Sequence, residues 1–255
     1  LLGVPLILMS PFDWVRAPHR LLQAVSHYRG TISWLPNFAY NFCAQKIQDR
    51  NLESVDLSSW RAVINCSEPM FWRSMEMFYK RFSSYGFKEQ ALATSYAAAE
   101  NTFAMTQGGI TSPIILDRIS QSAYLGERIA RPAQPDEPAL TMVSAGPTVR
   151  NTRLRILDDH HHELPERHIG EIALQSNCML TGYYHRQDAT QKSFHKGWFL
   201  TGDLGYIADG EVYITGRKKD LIIVGGKNIY PLDLENLTSE VPGVHPGRVA
   251  AVGIV

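Results

Sequence analysis

The sequence predicts an α/β fold: a subdomain built on a mostly parallel sheet, then a small antiparallel β-barrel-like subdomain, then the start of a C-terminal α+β domain. Three observations carry this. Over the first hundred residues, short apolar runs alternate with longer amphipathic ones, the β-α-β-α rhythm of parallel strands joined by covering helices. Beyond about residue 141 the apolar residues alternate one by one between turn dipeptides, as hairpins do. At 255 residues the chain also exceeds a minimal domain and is near the size at which one core stops growing. The expected divisions are 1–140 for the α/β part, 141–217 for the β subdomain and 218–255 for a hinge and an incomplete last unit.

In chain order, Pro5–Met9 is read as a strand and Arg16–Tyr28 as a helix with Leu21, Leu22, Val25 and Tyr28 on one face. Thr31–Trp34 is the second strand. Pro36 then opens a helix, where its missing N–H costs nothing, ahead of Phe38, Phe42 and Ile47. Ala62–Asn65 is a third strand. Pro69–Phe82 is a third helix whose Trp72, Met75, Phe78 and Tyr79 are core at helical spacing, and Ala91–Tyr96 is a fourth strand. From Gln107 to Thr141 periodicity fails amid Pro113, Pro132, Pro135 and Pro138, so the segment is expected to be an insertion or functional loop. Arg153–Leu157, Glu171–Gln175 and Glu211–Thr215 are short strands with turns at Asp158-Asp159 and Asp209-Gly210. Leu221–Val224, a helix from Pro231 and a strand over Val249–Val255 begin the last unit.

Lys+Arg and Asp+Glu both number 25, which argues against a broad footprint for nucleic acid or an anionic membrane. No run reaches the roughly 18 apolar residues of a spanning helix. Leu1–Met9 has no preceding basic segment and is broken by Gly3 and Pro5, unlike a signal peptide. Cys43, Cys66 and Cys178 are odd in number and far apart, which fits a reducing cytoplasm better than a disulfide framework. The chain begins at Leu1 and stops inside an apolar run at Val255, as an excerpt of a longer one would.

Three segments carry chemistry. Ser95-Tyr96-Ala97-Ala98-Ala99-Glu100 sets a flat ring beside a wall of methyl groups where a strand ends, the edge at which open α/β sheets bind ligands. Tyr96 can cover a purine and Glu100 can hold a hard cation through oxygen; an ordinary strand-to-helix turn is the alternative. In Trp198-Phe199-Leu200-Thr201-Gly202-Asp203 the carboxylate can accept from two neighbouring hydroxyls, or simply initiate a turn. In Gly216-Arg217-Lys218-Lys219-Asp220 the guanidinium offers a planar charged fork for phosphate or ribose oxygens, or a solvated hairpin end. The remaining candidates read blandly. His160-His161-His162 sits at a turn where adjacent residues cannot converge on one ion. Cys66 has no basic neighbour to activate it and is read as filler. Gly225-Gly226-Lys227-Asn228 lacks the Ser/Thr of a phosphate loop.

Taken together and in order, Tyr96…Glu100, Gly170-Glu171-Ile172, Gly182-Tyr183-Tyr184, the run Gly197–Asp203, Gly216–Ile223, Gly226 and Asn228–Pro231 resemble the adenylate-forming superfamily of acyl-CoA synthetases, luciferases and peptide-synthetase adenylation domains. Pro36–Tyr40, Leu57–Arg61 and Asn65-Cys66-Ser67-Glu68-Pro69 are similar to its fatty acyl-AMP ligases, with Cys66 and Ala97 standing where Gly is usual. The resemblance implies ATP-dependent conversion of a fatty acid to acyl-AMP, with Mg²⁺, and transfer to an acyl carrier protein, coenzyme A being the alternative acceptor. It implies that Tyr96 stacks on adenine, that Ser67, Glu68 and Pro69 line the other side of the slot, and that Glu100 is the Mg²⁺ carboxylate. Asp203 would hold the ribose hydroxyls, Arg217 the ribose or α-phosphate, and Lys219 the hinge between large and small domains. Asn37 and Phe38 would lie near an acyl tunnel, and the Gln107–Thr141 segment would match an insertion that restrains the C-terminal domain. The superfamily's phosphate loop and C-terminal Lys have no counterpart in the 255 residues, so little adenylation is expected of the chain alone. A nucleotide-binding relative without catalysis is the reading from another class.

Overall fold

A computed structural model describes residues 3–110, 112–224, 227–229, 231–239, 241–244 and 249–253. The α/β part runs α1 (Pro11–Arg16), α2 (His19–Tyr28), β1 (Ile32–Leu35), α3 (Asn37–Lys46), β2 (Ala62–Asn65), α4 (Trp72–Phe82), β3 (Leu92–Thr94) and β4 (Gly108–Gly109). Its sheet has the order β1-β2-β3-β4, with the first three strands parallel and β4 antiparallel. All four residues of β2 are buried, the pattern of a central parallel strand covered on both faces. Helix α4 buries Ser74, Met75, Phe78 and Phe82, one stripe of an otherwise charged helix. Phe78 is the hub, with ring centroids 5.2 Å from Tyr40, 4.7 Å from Phe82 and 5.2 Å from Phe87.

The antiparallel part comprises β5 (Leu116–Ser120), α5 (Gln121–Glu127), β6 (Ala139–Val143), β7 (Thr152–Leu157), β8 (Gly170–Ser176), α6 (Gln187–Lys192), β9 (Phe194–His195), β10 (Trp198–Ala208) and β11 (Glu211–Arg217). Strands β11-β10-β8-β7 form a curled antiparallel sheet, with β9 adding to β10. The chain continues through a 3₁₀ turn at Lys218–Asp220 into β12 (Ile222–Val224), β13 (Lys227–Ile229) and α7 (Pro231–Ser239).

Four elements differ from expectation. Pro5–Met9 forms no strand: Val4, Leu6 and Leu8 are exposed and pair with no described strand, and an apolar run without a ladder partner has nothing to fix it as β. The helix expected over Arg16–Tyr28 breaks at Ala17, whose ψ of 71° is non-helical because Pro18 disfavours α geometry in the residue before it. The 107–141 segment is more ordered than a loop: β5 and β6 pair over five positions and enclose α5. Pro113 precedes β5, and Pro132, Pro135 and Pro138 lie in the connection, outside the β5–β6 ladder, which is why the sequence hides the hairpin. That hairpin is tied to the curled sheet where Asp117 accepts from Arg167 at 2.9 Å and from the Tyr206 hydroxyl at 3.0 Å. Finally, residues 249–253 carry no strand, and the rest of the expected Val249–Val255 strand lies outside the described residues.

Candidate active site

Two loops leave the same end of the parallel sheet side by side. Ser67-Glu68-Pro69 follows β2 and Tyr96–Glu100 follows β3, whose last residues Asn65 and Thr94 are in register. This is the carboxyl edge at which open α/β sheets present ligand sites. Ser67 is held at φ 73°, and Thr102, just after the 3₁₀ turn Ala99–Asn101, at φ 63°. Non-glycine residues in this region carry backbone strain, which concentrates at functional loops. Cys66 and Ala97 have no positive φ, so neither position requires the glycine it replaces.

The backbone of Tyr96 is locked: its N–H donates to Thr106 Oγ1 at 3.0 Å and its carbonyl accepts from Met105 N at 2.8 Å. Its side chain is buried in a cluster that also holds Met105, Ala145, Ile156, Ile172, Leu174 and Phe199. Its hydroxyl donates to Asp203 Oδ2 at 2.6 Å. The other carboxylate oxygen, Oδ1, lies 3.0 Å from Arg217 Nε, so the three groups form one connected unit. Asp203 and Arg217 face each other as directly opposed residues of β10 and β11.

A break in the β10–β8 register between Leu200 and Leu204 points Asp203 at the site. Thr201 makes it: its hydroxyl donates to Ile172 O at 2.8 Å and accepts from Asp203 N at 3.1 Å. Gly202 turns at φ 73° in open space, so its backbone angle rather than crowding calls for glycine. Its N–H donates to Glu171 Oε1 at 3.2 Å, while Glu171 Oε2 holds Lys218 Nζ at 3.0 Å. One buried carboxylate therefore braces the bulge that bears Asp203 and the strand end that bears Arg217.

Electrostatics follow from this enclosure. Burial raises the Asp203 carboxyl above its ordinary range; Tyr96 and Arg217 oppose the rise, and the Glu100 charge adds to it. Burial, then the Asp203 charge, pushes the Tyr96 phenol well above its usual value. Burial also raises Glu68, against a hydrogen bond donated by Phe38 N–H. Glu100 accepts from the Tyr183 hydroxyl at 2.9 Å through Oε1.

The structure thus joins Tyr96, Asp203 and Arg217 by direct contact, with Glu100 within their electrostatic reach. Ser67, Glu68 and Pro69 stand at the adjacent strand end, and Met70 packs into the cluster that holds Tyr96. Asn37 is buried with its amide fully engaged: it donates to Ser74 Oγ at 3.1 Å and accepts from Asn65 and Phe71 N–H groups, each at 3.0 Å. Phe38 is half-exposed beside Trp14 and receives Glu68 through its backbone. Lys219 is exposed in the Lys218–Asp220 turn, while its neighbour Lys218 is pinned to Glu171 and, at 3.2 Å, to Asp159. Gly226 and Tyr230, part of the quoted motifs, lie outside the described residues.

Sequence reasoning gave no role to Glu171, Tyr183, Thr201 or Lys218. All four stand inside quoted motifs, but the partners of Glu171, Tyr183 and Lys218 lie far along the chain. The histidine run is a hairpin tip, with Asp158 Oδ1 accepting from the N–H groups of His160 and His162, each at 2.8 Å. Among the described residues no group of three or more His, Cys, Asp or Glu is placed for a metal ion. Cys66 is buried, and burial raises its thiol, the opposite of an activated nucleophile. No helix among the described residues is long and apolar enough to cross a membrane.

A Tyr–carboxylate–Arg contact at the carboxyl edge of a parallel sheet places the chain among α/β proteins with a ligand site at that edge, and the comparisons give its family. The chain belongs to the AMP-binding enzyme family, whose profile matches residues 1–184. It is similar to the medium-chain-fatty-acid–[acyl-carrier-protein] ligase JamA of Moorena producens, 34% identical over 99% of this chain and 45% of that protein. A solved structure from work on fatty acyl-adenylate ligases of E. coli and L. pneumophila aligns with a TM-score of 0.88 at 30% identity, covering 92% of this chain and 43% of that one. The fatty acyl-adenylate ligase of L. pneumophila in complex with acyl adenylate and pyrophosphate aligns at 0.80 and 33% identity, covering 94% and 43%. The chain spans less than half the length of these relatives.

Proposed function

We propose that the whole protein activates a fatty acid as acyl-AMP and passes the acyl group to the phosphopantetheine thiol of an acyl carrier protein. One observation carries this reading: the contact of Tyr96, Asp203 and Arg217, drawn from three separate segments, at the sheet edge beside Ser67–Pro69. In the first half-reaction a carboxylate oxygen of the fatty acid attacks the α-phosphorus of ATP. The new O–P bond forms as the bond to pyrophosphate breaks. Both reactants are anionic, so the chemistry is mostly positioning and charge neutralisation. In the second half-reaction the thiol sulfur attacks the acyl carbon, AMP leaves with the bonding electrons, and the thiol proton passes to solvent or a base.

In this reading Tyr96 stacks on adenine while its hydroxyl fixes Asp203. Ser67, Glu68 and Pro69 line the opposite wall. Asp203 accepts from the ribose hydroxyls and Arg217 neutralises the ribose–phosphate edge. Magnesium usually binds through one or two carboxylates together with substrate phosphates and waters. The single carboxylate of Glu100, with Oε1 held by Tyr183 and its charge felt at Asp203, fits that demand. When bound, the ion offsets phosphate charge. Lys219 acts as the hinge residue, immediately after the anchored Lys218. Asn37 supports the floor near the acyl tunnel through its polar network, with Phe38 at its mouth. The 107–141 segment acts as an insertion restraining the small domain; the expected division at 140 falls inside β6, while that at 217 coincides with the end of β11. The buried free thiols of Cys43 and Cys66 support a cytoplasmic setting.

The acceptor is tested on the whole protein by supplying ATP and a fatty acid with, in turn, coenzyme A and a holo carrier protein. An acyl thioester on the carrier is expected; acyl-CoA as the sole product overturns the choice of acceptor, and no acyl-AMP with either overturns the enzymatic reading.

A further inference from the structure

We infer that Tyr183 is a positioning residue for the metal-binding carboxylate, an inference that rests on the role of Glu100 proposed above. Residues 176–180 clasp the turn Ala99–Asn101 and the residue after it through Glu100, Asn101 and Thr102. Glu100 O accepts from Leu180 N at 2.7 Å, Thr102 Oγ1 donates to Cys178 O at 3.2 Å, and Asn101 Oδ1 accepts from the Ser176 hydroxyl. These contacts fix the backbone of the turn and leave the carboxylate to rotate about its own side-chain bonds. Only the Tyr183 hydroxyl, 2.9 Å from Oε1, holds the carboxylate itself among the hydrogen bonds of the described residues.

Tyr183 is seated for that task from behind. Its N–H donates to Thr190 Oγ1 at 2.9 Å, and its carbonyl accepts from Arg186 N at 3.1 Å. Thr190 Oγ1 in turn donates to Arg186 O at 3.0 Å, so the first turn of α6 cradles the backbone of the tyrosine. A phenol held this way donates one hydrogen bond to one oxygen of Glu100. That restrains the rotamer of the carboxylate while Oε2 takes no hydrogen bond among the described residues. The negative charge of Asp203 acts against that of Glu100. Without the phenol, Glu100 relieves that repulsion by swinging away, and a divalent cation must pull it back before binding. Hydrogen-bonding partners of this kind typically change metal affinity by about 10- to 100-fold.

The test is titration of wild type, Tyr183→Phe and Glu100→Gln with Mn²⁺ in the presence of ATP, following free Mn²⁺ by EPR, alongside AMP affinity without metal and thermal unfolding. Tyr183→Phe is expected to weaken ATP-dependent Mn²⁺ binding about ten-fold or more, while AMP affinity and unfolding temperature stay near wild type. Glu100→Gln is expected to lose Mn²⁺ more completely. If Glu100→Gln loses the ion and Tyr183→Phe binds it as wild type does, the positioning role is overturned and the role of Glu100 stands. If Glu100→Gln binds Mn²⁺ normally, or wild type shows no ATP-dependent Mn²⁺ binding, both fall. If Tyr183→Phe loses AMP affinity in parallel with Mn²⁺, the tyrosine supports the fold of the site generally and the proposal is overturned.

Discussion

Replacing Asp203 with alanine tests the centre of the site. A carboxylate offers about four lone-pair positions. Two are used within the protein, by the Tyr96 hydroxyl on Oδ2 and Arg217 on Oδ1, which leaves about two, the number that a vicinal ribose diol needs. The Asp203 side chain is only 14% exposed, so hydroxyls bound there are largely removed from water. Losing an acceptor in such a place costs about 1–3 kcal/mol, or roughly 5- to 150-fold in Kd. Calorimetric titration of the 255-residue chain with AMP and with 2′,3′-dideoxy-AMP separates this from general damage. Asp203→Ala should weaken AMP by that factor and leave the dideoxy compound nearly unchanged. An equal loss with both nucleotides, or no loss with AMP, would refute the assignment. Acidity gives a second handle. Because burial raises the Asp203 pKa above 3.8, native protein retains a proton that unfolded chain has released over the window between the two values. The stability from this group is full below 3.8 and lost as pH rises through the folded-state pKa. AMP affinity should grow over the same window as the accepting carboxylate forms, and Asp203→Asn should flatten it.

Two further substitutions probe the scaffold. Phe78→Ala removes the hub of the aromatic cluster in a fully buried position, and thermal or urea unfolding should report a loss of about 3–5 kcal/mol; a loss under about 1 kcal/mol would mean the cluster collapses freely around the gap. Glu137 is held by both guanidinium nitrogens of Arg131, at 3.0 and 2.9 Å, and by Gln134 N–H at 2.7 Å, which together lower its carboxyl to about 2. Its support of the β5–β6 connection is therefore present above 4.5 and lost as pH falls through about 2. Glu137→Gln should speed hydrogen exchange at the Gln134 amide at neutral pH, and unchanged exchange would show that the clamp does not order that loop.

How much was legible in the sequence depended on whether the deciding interaction was local. Ala62–Asn65 could be read residue for residue because a strand buried on both faces needs only an unbroken apolar run. Three strands of the curled sheet were legible from alternation and turn dipeptides, but β10 was not among them, because its bulge at Thr201–Asp203 breaks the alternation; the meeting of Tyr96, Asp203 and Arg217 was legible from motif order. Pro5–Met9 was misread because its apolar run satisfies the strand pattern while strand formation depends on a partner that the pattern does not contain. The β5–β6 hairpin was hidden by prolines in its own connection. Tyr183 and Glu171 escaped because their partners, Glu100 and Lys218, are 83 and 47 residues away in sequence, where no periodicity reaches.

That same long range explains how the site can respond to its ligand. Tyr96, in the loop after β3, and Asp203, in β10, are 107 residues apart, yet they share a hydrogen bond. The apolar cluster beneath them is likewise mixed, with Tyr96 and Met105 from the α/β side and Ile172, Leu174 and Phe199 from the curled sheet. On the proposed reading, a nucleotide across Tyr96, Asp203 and Arg217 contacts both sides at once, so its binding energy favours the docked arrangement over any in which they separate. Arg217 ends its strand one residue before anchored Lys218 and two before exposed Lys219. On the proposed reading, a nucleotide at Arg217 therefore touches the strand end immediately before the Lys218 anchor, and the chain beyond it still packs on the fold through Leu221.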